Sequence, residues 1–294
     1  MLTGIKRMPP LLLVMALAFA VVSCVQEEPA PEGEELSQEE IEQILANTAT
    51  ATAEVDTCKF DADMTVTIKA TGGEQPLEGT LAMNTSGVVD KANREMQTTT
   101  DMTQEATGGV KVRMATEFYL AGEWVYAKMS LFNLLDQWGK TRLTEEMWNR
   151  LDMVGGQVEL LTSPLEVNYL GSEDISGVPC YVMQLMPTTE ALSNWLNQQQ
   201  LSGTEKIEWV ALNLNEIFKE WSYKCWIAKD SYLLVKLEAD MLLEMSPNEV
   251  GASPGDFENE TINIALAMIV YDHNTPVAIV LPEEALEAPE MDIN

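Results

Sequence analysis

The chain is 294 residues long and sets 17 Lys and Arg against 47 Asp and Glu, a formal net charge of −30. That balance excludes a nucleic-acid surface, because phosphate binding is carried by Lys and Arg. A single His leaves little room for imidazole metal sites, while 46% hydrophobic residues in a chain of this length can bury a real core.

The first two dozen residues read as an address. Lys6 and Arg7 form a basic start, and Leu11 to Val22 is an unbroken apolar run of 12 residues. The run is short for a bilayer span, which needs about 20 residues, but it suits the apolar region of a secretory signal. It ends in Val21-Val22-Ser23-Cys24, which resembles the lipobox of bacterial lipoproteins. That resemblance implies a diacylglyceryl group on the Cys24 thiol, cleavage before Cys24, and acylation of the new N-terminus by palmitate or a similar chain. The domain expectation is therefore a lipoprotein signal peptide over 1–23. The mature chain then has 294 − 23 = 271 residues and a charge of 15 − 47 = −32, since Lys6 and Arg7 are lost. Two or three acyl chains hold a protein firmly on a membrane, where one is marginal.

Residues 24–36 read as an acidic flexible tether. Gln26 to Glu42 holds eight Glu, Pro29, Pro31, Gly33 and no base. Like charges repel and Pro resists helix, so the stretch extends. No second linker of this kind follows, which leaves one domain over 37–288 and a tail at 289–294.

Ser37-x-x-Glu40 is a capping-box start. The helix it opens, to about Val55, sets Ile41, Ile44, Leu45, Thr48 and Thr52 on one side. Period-two alternation then dominates. Phe60, Ala62, Met64, Val66 and Ile68 share one face, followed by Leu77 to Met83, Met96 to Met102, Val110 to Phe118 and Trp124 to Met129. Short strands with local turns mean an antiparallel meander. Thr144 to Leu161 and Thr188 to Gln200 read as helices, the first carrying Trp148 and the second Trp195. Glu205 to Glu220 leans towards helix. Val178–Met186, Trp221–Ala228 and Leu233–Met245 are strands. Ile262 to Tyr271 is apolar at nearly every position, as in a strand covered on both faces or lining a groove. The chain closes with a short strand at Val277–Leu281 and a short acidic helix.

Three cysteines follow Cys24. Cys180 and Cys225 fall in strands that can be neighbours, so they are a candidate disulfide, with Cys58 as a buried thiol; three separate buried thiols fit equally well.

The order of elements resembles the LolA/LppX-like lipoprotein superfamily. Carrying the resemblance are the helix after the tether with its run of strands, Tyr119 to Lys128 leading to Trp138-Gly-Lys140, Gly171 to Val182, and Tyr271 to Val277 with Leu281 to Ala285. It implies an α+β fold, a long curved antiparallel sheet (half-barrel) with helices on its concave side. It also implies binding of acyl lipid or another hydrophobic ligand between sheet and helices. Seventeen Met agree with this, since Met suits surfaces that accept variable apolar partners, although Met equally fills ordinary cores. Candidate lining residues are Met64, Met83, Met114, Trp124, Trp148, Trp195 and Met268. The aromatic residues among them, with Tyr126 and Trp138, fit a plain core as well.

No Gly-x-Ser-x-Gly, His-Glu-x-x-His or phosphate-loop motif occurs. An enzyme is not expected, nor a metal or cofactor. His273 reads as a polar turn residue. Asp61/Asp63 and Asp256/Glu258/Glu260 each share a strand face and read as solvated. The sequence therefore points to a lipid-anchored protein on the extracytoplasmic face of a cell membrane or outer membrane that binds or carries a hydrophobic ligand. The alternative is an envelope interaction protein with a filled core.

Overall fold

The computed structural model describes residues 35–72, 77–131, 135–145, 147–148, 164–188, 214–247 and 258–291. The expected signal segment, Cys24, Trp195 and nearly all of the two internal helices expected at Thr144–Leu161 and Thr188–Gln200 lie outside these residues.

Helix α1 spans Gln38–Ala53 and begins as its sequence demands. The Ser37 hydroxyl accepts from the Glu40 N–H at 3.3 Å, and the Glu40 carboxylate accepts from the Ser37 N–H at 2.8 Å. Two of the orphan donors at the helix start are satisfied in this way. The buried side is Ile41, Ile44, Leu45, Thr48 and Thr52. Thr48 returns its hydroxyl to the Ile44 carbonyl at 2.8 Å, which lets a polar side chain face the core.

Among the described residues eleven strands form one open, curved antiparallel sheet. They are β1 (Thr57–Thr71), β2 (Leu77–Asp90), β3 (Glu95–Ala106), β4 (Val110–Ala121), β5 (Trp124–Leu131), β6 (Leu135–Arg142), β7 (Pro164–Ile175), β8 (Val178–Pro187), β9 (Phe218–Ala228), β10 (Leu234–Met245) and β11 (Asn259–Tyr271). Their spatial order is β6-β5-β4-β3-β2-β1-β11-β10-β9-β8-β7. Two meanders are thus joined where the first strand meets the last, over the register Lys59↔Tyr271 to Thr71↔Asn259. Alternation pins this register. A slip by one residue would turn Phe60, Met64, Val66 and Ile68 out to solvent and bring Asp61 and Asp63 in.

Several local expectations change. Phe218 to Glu220 belongs to β9, which follows helix α2 (Leu214–Ile217), while 205–213 lie outside the described residues; Phe218 lies across from Leu243 beyond a register shift. Strand β7 and the whole of β6 were not marked by alternation alone. The segment 277–281 is not a strand: Ile279 and Leu281 pack by their side chains against the cluster of Tyr119, Tyr126 and Trp138. The short acidic helix after it is present as α3 (Glu283–Leu286). Strand β11 is buried on one face only. Its other face, with Ala265, Ala267 and an exposed Ile269, is open among the described residues.

Candidate functional site

The registers assign each side chain to one of two faces. The core face carries Phe60, Met64, Val66 and Ile68 of β1, and Ile262, Ile264, Leu266, Met268 and Val270 of β11. Helix α1 packs against this face through Ile41, Ile44 and Leu45. Following one row across the sheet, Leu266 pairs with Met64, Met64 with Met83, Met83 with Met102, and Met102 with Met114. Four methionines therefore stand side by side over ~14 Å, three strand spacings. The next row is Met268, Ala62, Thr85, Thr100 and Thr116. The Thr85 and Thr100 hydroxyls meet at 2.9 Å, so this half-buried polar stripe is internally hydrogen-bonded.

Burial varies along these rows. Over β9 to β11 the face is sealed, with Leu243, Cys225 and Ile262 at 0% exposure. Towards β4 and β5 it opens: Met114, Thr116 and Phe118 are only half-buried, and Met129 is 51% exposed. An apolar surface thus runs from a closed core into a half-open margin beside the methionine row.

Among the described residues one charged residue is buried on this face. Glu260 shares the parity of Ile262, pairs with Ala70 and Met245, and is 6% exposed. Its Oε1 has no hydrogen-bond partner, and burial alone pushes its carboxyl above the usual range. The expectation of a solvated acidic face fails at Glu260, and Asp256 lies outside the described residues. Glu258 is exposed at the rim above Gly72, but Glu260 lies one row inside it. Asp61 and Asp63 do lie exposed on the opposite face, with Asp63 accepting from the Asn84 amide. Among the described residues no three metal-ligating groups converge.

The candidate lining residues divide between the faces. Met64, Met83 and Met268 are buried in the core-face cluster, and Met114 and Trp148 pack at its edge. Trp148 is held there by the Arg94 guanidinium, 5.6 Å from its ring centroid, while Arg94 also forks onto Glu145 at 2.6 and 2.9 Å. Trp124 is on the outer face instead. It joins Tyr119, Tyr126 and Trp138 beneath the C-terminal segment, where Ile279, Leu281, Ala285 and Ala288 pack. It therefore cannot line the surface that Met64 lines. The reason is period two: Val125 faces the core, so Trp124 faces away.

Register also corrects the candidate disulfide. Cys180 pairs with Ala228 and Cys225 with Met183, so the two are three rungs out of step. Their side chains also face opposite ways. Cys225 is in the core-face cluster, and Cys180 packs with Val182 and Trp226 on the outer face. All three cysteines, Cys58 included, are buried thiols. Burial pushes the Cys180 thiol up to about 11 and the Cys225 thiol further. His273 is half-buried in the turn after β11, and burial lowers it from its ordinary value. Its neighbour Asn274 donates its N–H to the Thr57 carbonyl at 2.8 Å, so this turn clasps the start of β1.

The methionines and the half-open margin were within reach of sequence reasoning. The threonine stripe was not singled out, and Glu260 was read as part of a solvated face. Their only signal was parity with Met83, Met102 and Ile262, and it becomes legible once the register is known.

No family model matches this chain, and no curated protein does. Solved structures do match. LprF from Mycobacterium bovis aligns with a TM-score of 0.42 at 13% identity, covering 83% of this chain and 98% of that one. The lipoprotein LppX from Mycobacterium tuberculosis aligns at 0.39 and 15% identity, covering 83% and 100%. A DUF1329 family protein from Desulfovibrio piger aligns at 0.25 and 10% identity, covering 82% and 94%. With TM-scores under 0.5, the fold rests on the strand order and registers above rather than on these likenesses.

Proposed function

We propose that this protein is anchored by an acylated Cys24 on the extracytoplasmic face of a membrane and binds or carries a hydrophobic ligand, an acyl lipid or the acyl chains of a lipoprotein, on its core face. The observation that carries the reading is the passage of that face from sealed rows at β9–β11 to the half-open apolar margin of Met114, Phe118 and Met129. Binding there is by burial: each Å² of apolar ligand leaving water contributes about 25 cal/mol, with little directional chemistry. Methionine side chains adapt to ligands of differing shape. The basic start, short apolar run and Cys24 supply the anchor, and the acidic tether holds the domain clear of lipid headgroups.

Native mass spectrometry of protein purified from membranes tests this. A co-purifying lipid is expected, and Cys24→Ala should release the protein from membranes with the ligand retained. Ligand-free protein that also fails to take up added lipid would overturn the reading. It would favour the alternative, an envelope interaction protein with a filled core, which the sealed rows at Leu243 and Ile262 already suit.

A further inference from the structure

We propose that Met291 is a wall of the ligand surface, which makes the C-terminal segment part of the binding site and limits the open margin to one apolar chain. The inference rests on the lipid-binding reading and adds a residue and a width to it. Gly139 fixes where Met291 stands. Its neighbours Trp138 and Lys140 face the outer cluster, where the Lys140 ammonium stands 5.4 Å from the Trp124 ring centroid. By period two, a side chain at Gly139 would point to the core face. A Cβ there would meet Met291 Cε at 2.2 Å and Sδ at 2.3 Å. The thioether is therefore on the core face, although Ala285 and Ala288 of the same segment are buried on the outer one. The segment turns the β6 edge in between, held by the pairing of Lys140 with Pro289 and Met291.

This contact completes a row. Phe118, Ala127 and Gly139 are directly opposed across β4, β5 and β6. Phe118 and Met291 thus stand on either side of Ala127, the small half-buried residue between them. Phe118 and Gly139 are two strand spacings apart, ~10 Å. The two large side chains take up part of that interval and leave the width of a single hydrocarbon chain along β5. The trough is closed at Val125, 5% exposed, and open at Met129, 51% exposed. Met291 is itself 42% exposed, so solvent reaches this surface without any described residue moving. The sealed rows of β9–β11 take no part. Of the side chains here only Thr116, opposite Met129, is polar, and a thioether adapts to the chain it meets.

A hexadecanol carrying a diazirine on its terminal carbon, neutral so that the acidic chain does not repel it, tests this on the delipidated full chain. Irradiation of the complex is expected to label both the β5 peptide around Ala127 and Met129 and the peptide holding Met291. Gly139→Ala pushes the thioether into the trough and should weaken binding roughly tenfold, the equivalent of one or two methylenes left in water. Adding Met291→Ala should return the affinity to within about threefold of wild type. Val280→Ala, exposed on the same segment, should leave it unchanged. Label on β5 without Met291, or only elsewhere in the chain, would overturn the proposal and leave lipid binding in place. So would unchanged affinity in Gly139→Ala, a loss that Met291→Ala does not relieve, or an equal loss in Val280→Ala. If Gly139→Ala does not fold, the pair of labelled peptides decides. Failure of the probe to bind at all would overturn the lipid-binding reading itself, a distinct result.

Discussion

The ring of Phe60 occupies the place where a side chain at residue 87 would begin. Phe60 and Gly87 are directly opposed on β1 and β2, and a Cβ added to Gly87 would stand 2.3 Å from two atoms of the Phe60 ring. Phe60 is buried and belongs to the central core cluster, so its ring has nowhere to retreat. The missing side chain on one strand is what admits the large one on its neighbour.

Gly87→Ala should therefore destabilise the fold by about 1–3 kcal/mol through overpacking, although alanine suits a strand better than glycine does. Chemical denaturation measures it. Combining Gly87→Ala with Phe60→Leu should recover part of the loss, and a simple sum of the two single effects would show that the opposition carries no energy.

Glu260 makes stability depend on pH in a direction that can be stated. Its folded-state value is raised above the ordinary 4.5, so the folded protein binds the proton more tightly than the unfolded chain does. Stability is then favoured at low pH and falls as pH rises from 4.5 through the raised value. Glu260→Gln, which stays neutral, should be more stable than wild type by about 1–3 kcal/mol at pH 7 in the absence of ligand. The difference should vanish near pH 4. Denaturation of both proteins across that range is the check, and a difference independent of pH would rule out an ionised buried carboxyl.

The thiols should be silent in the folded state. Cys58, Cys180 and Cys225 are buried, and with Cys180 raised to about 11 almost none of it is thiolate at pH 8. A thiol reagent should leave all three unmodified until denaturant is added. Peptide mapping without reductant should show no Cys180–Cys225 link, because the two face opposite sides of the sheet.

The C-terminal segment closes the edge of the sheet. Lys140 donates its N–H to the Pro289 carbonyl at 3.0 Å and accepts from Met291 N–H at 2.7 Å, while its ammonium reaches the Leu286 carbonyl at 2.9 Å. Met291 lies over Gly139, where a Cβ would meet it at 2.2 Å. Unpaired edge strands invite association with other chains. Truncation after Leu281 should expose Trp138 and the β6 edge. Acrylamide quenching of tryptophan emission should rise, and self-association should appear in sedimentation. A truncated chain with unchanged quenching would deny the segment this role.

What the sequence determined by itself is whatever depends on near neighbours along the chain. The Ser37–Glu40 capping box is closed by residues three apart, and helix α1 formed where that signal placed it. Alternation at Phe60, Met64, Val66 and Ile68 marked both the strand and the face it buries. Each of these is a local rule of period or capping, legible without knowing what lies across.

Tertiary structure decided what depends on register and facing. Cys180 and Cys225 fall in adjacent strands yet cannot meet, Trp124 turned to the outer face, and Glu260 turned inward beside Met245. Each outcome hangs on a single-residue parity or on pairing between strands far apart in the chain, such as β1 with β11. Local preference cannot set such pairings, because the free energy that selects one register comes from burying the whole face at once. The acidic balance of −30 is likewise a sum over the chain. It argues against a nucleic-acid surface, but only the fold showed that Glu260 is buried among apolar rows.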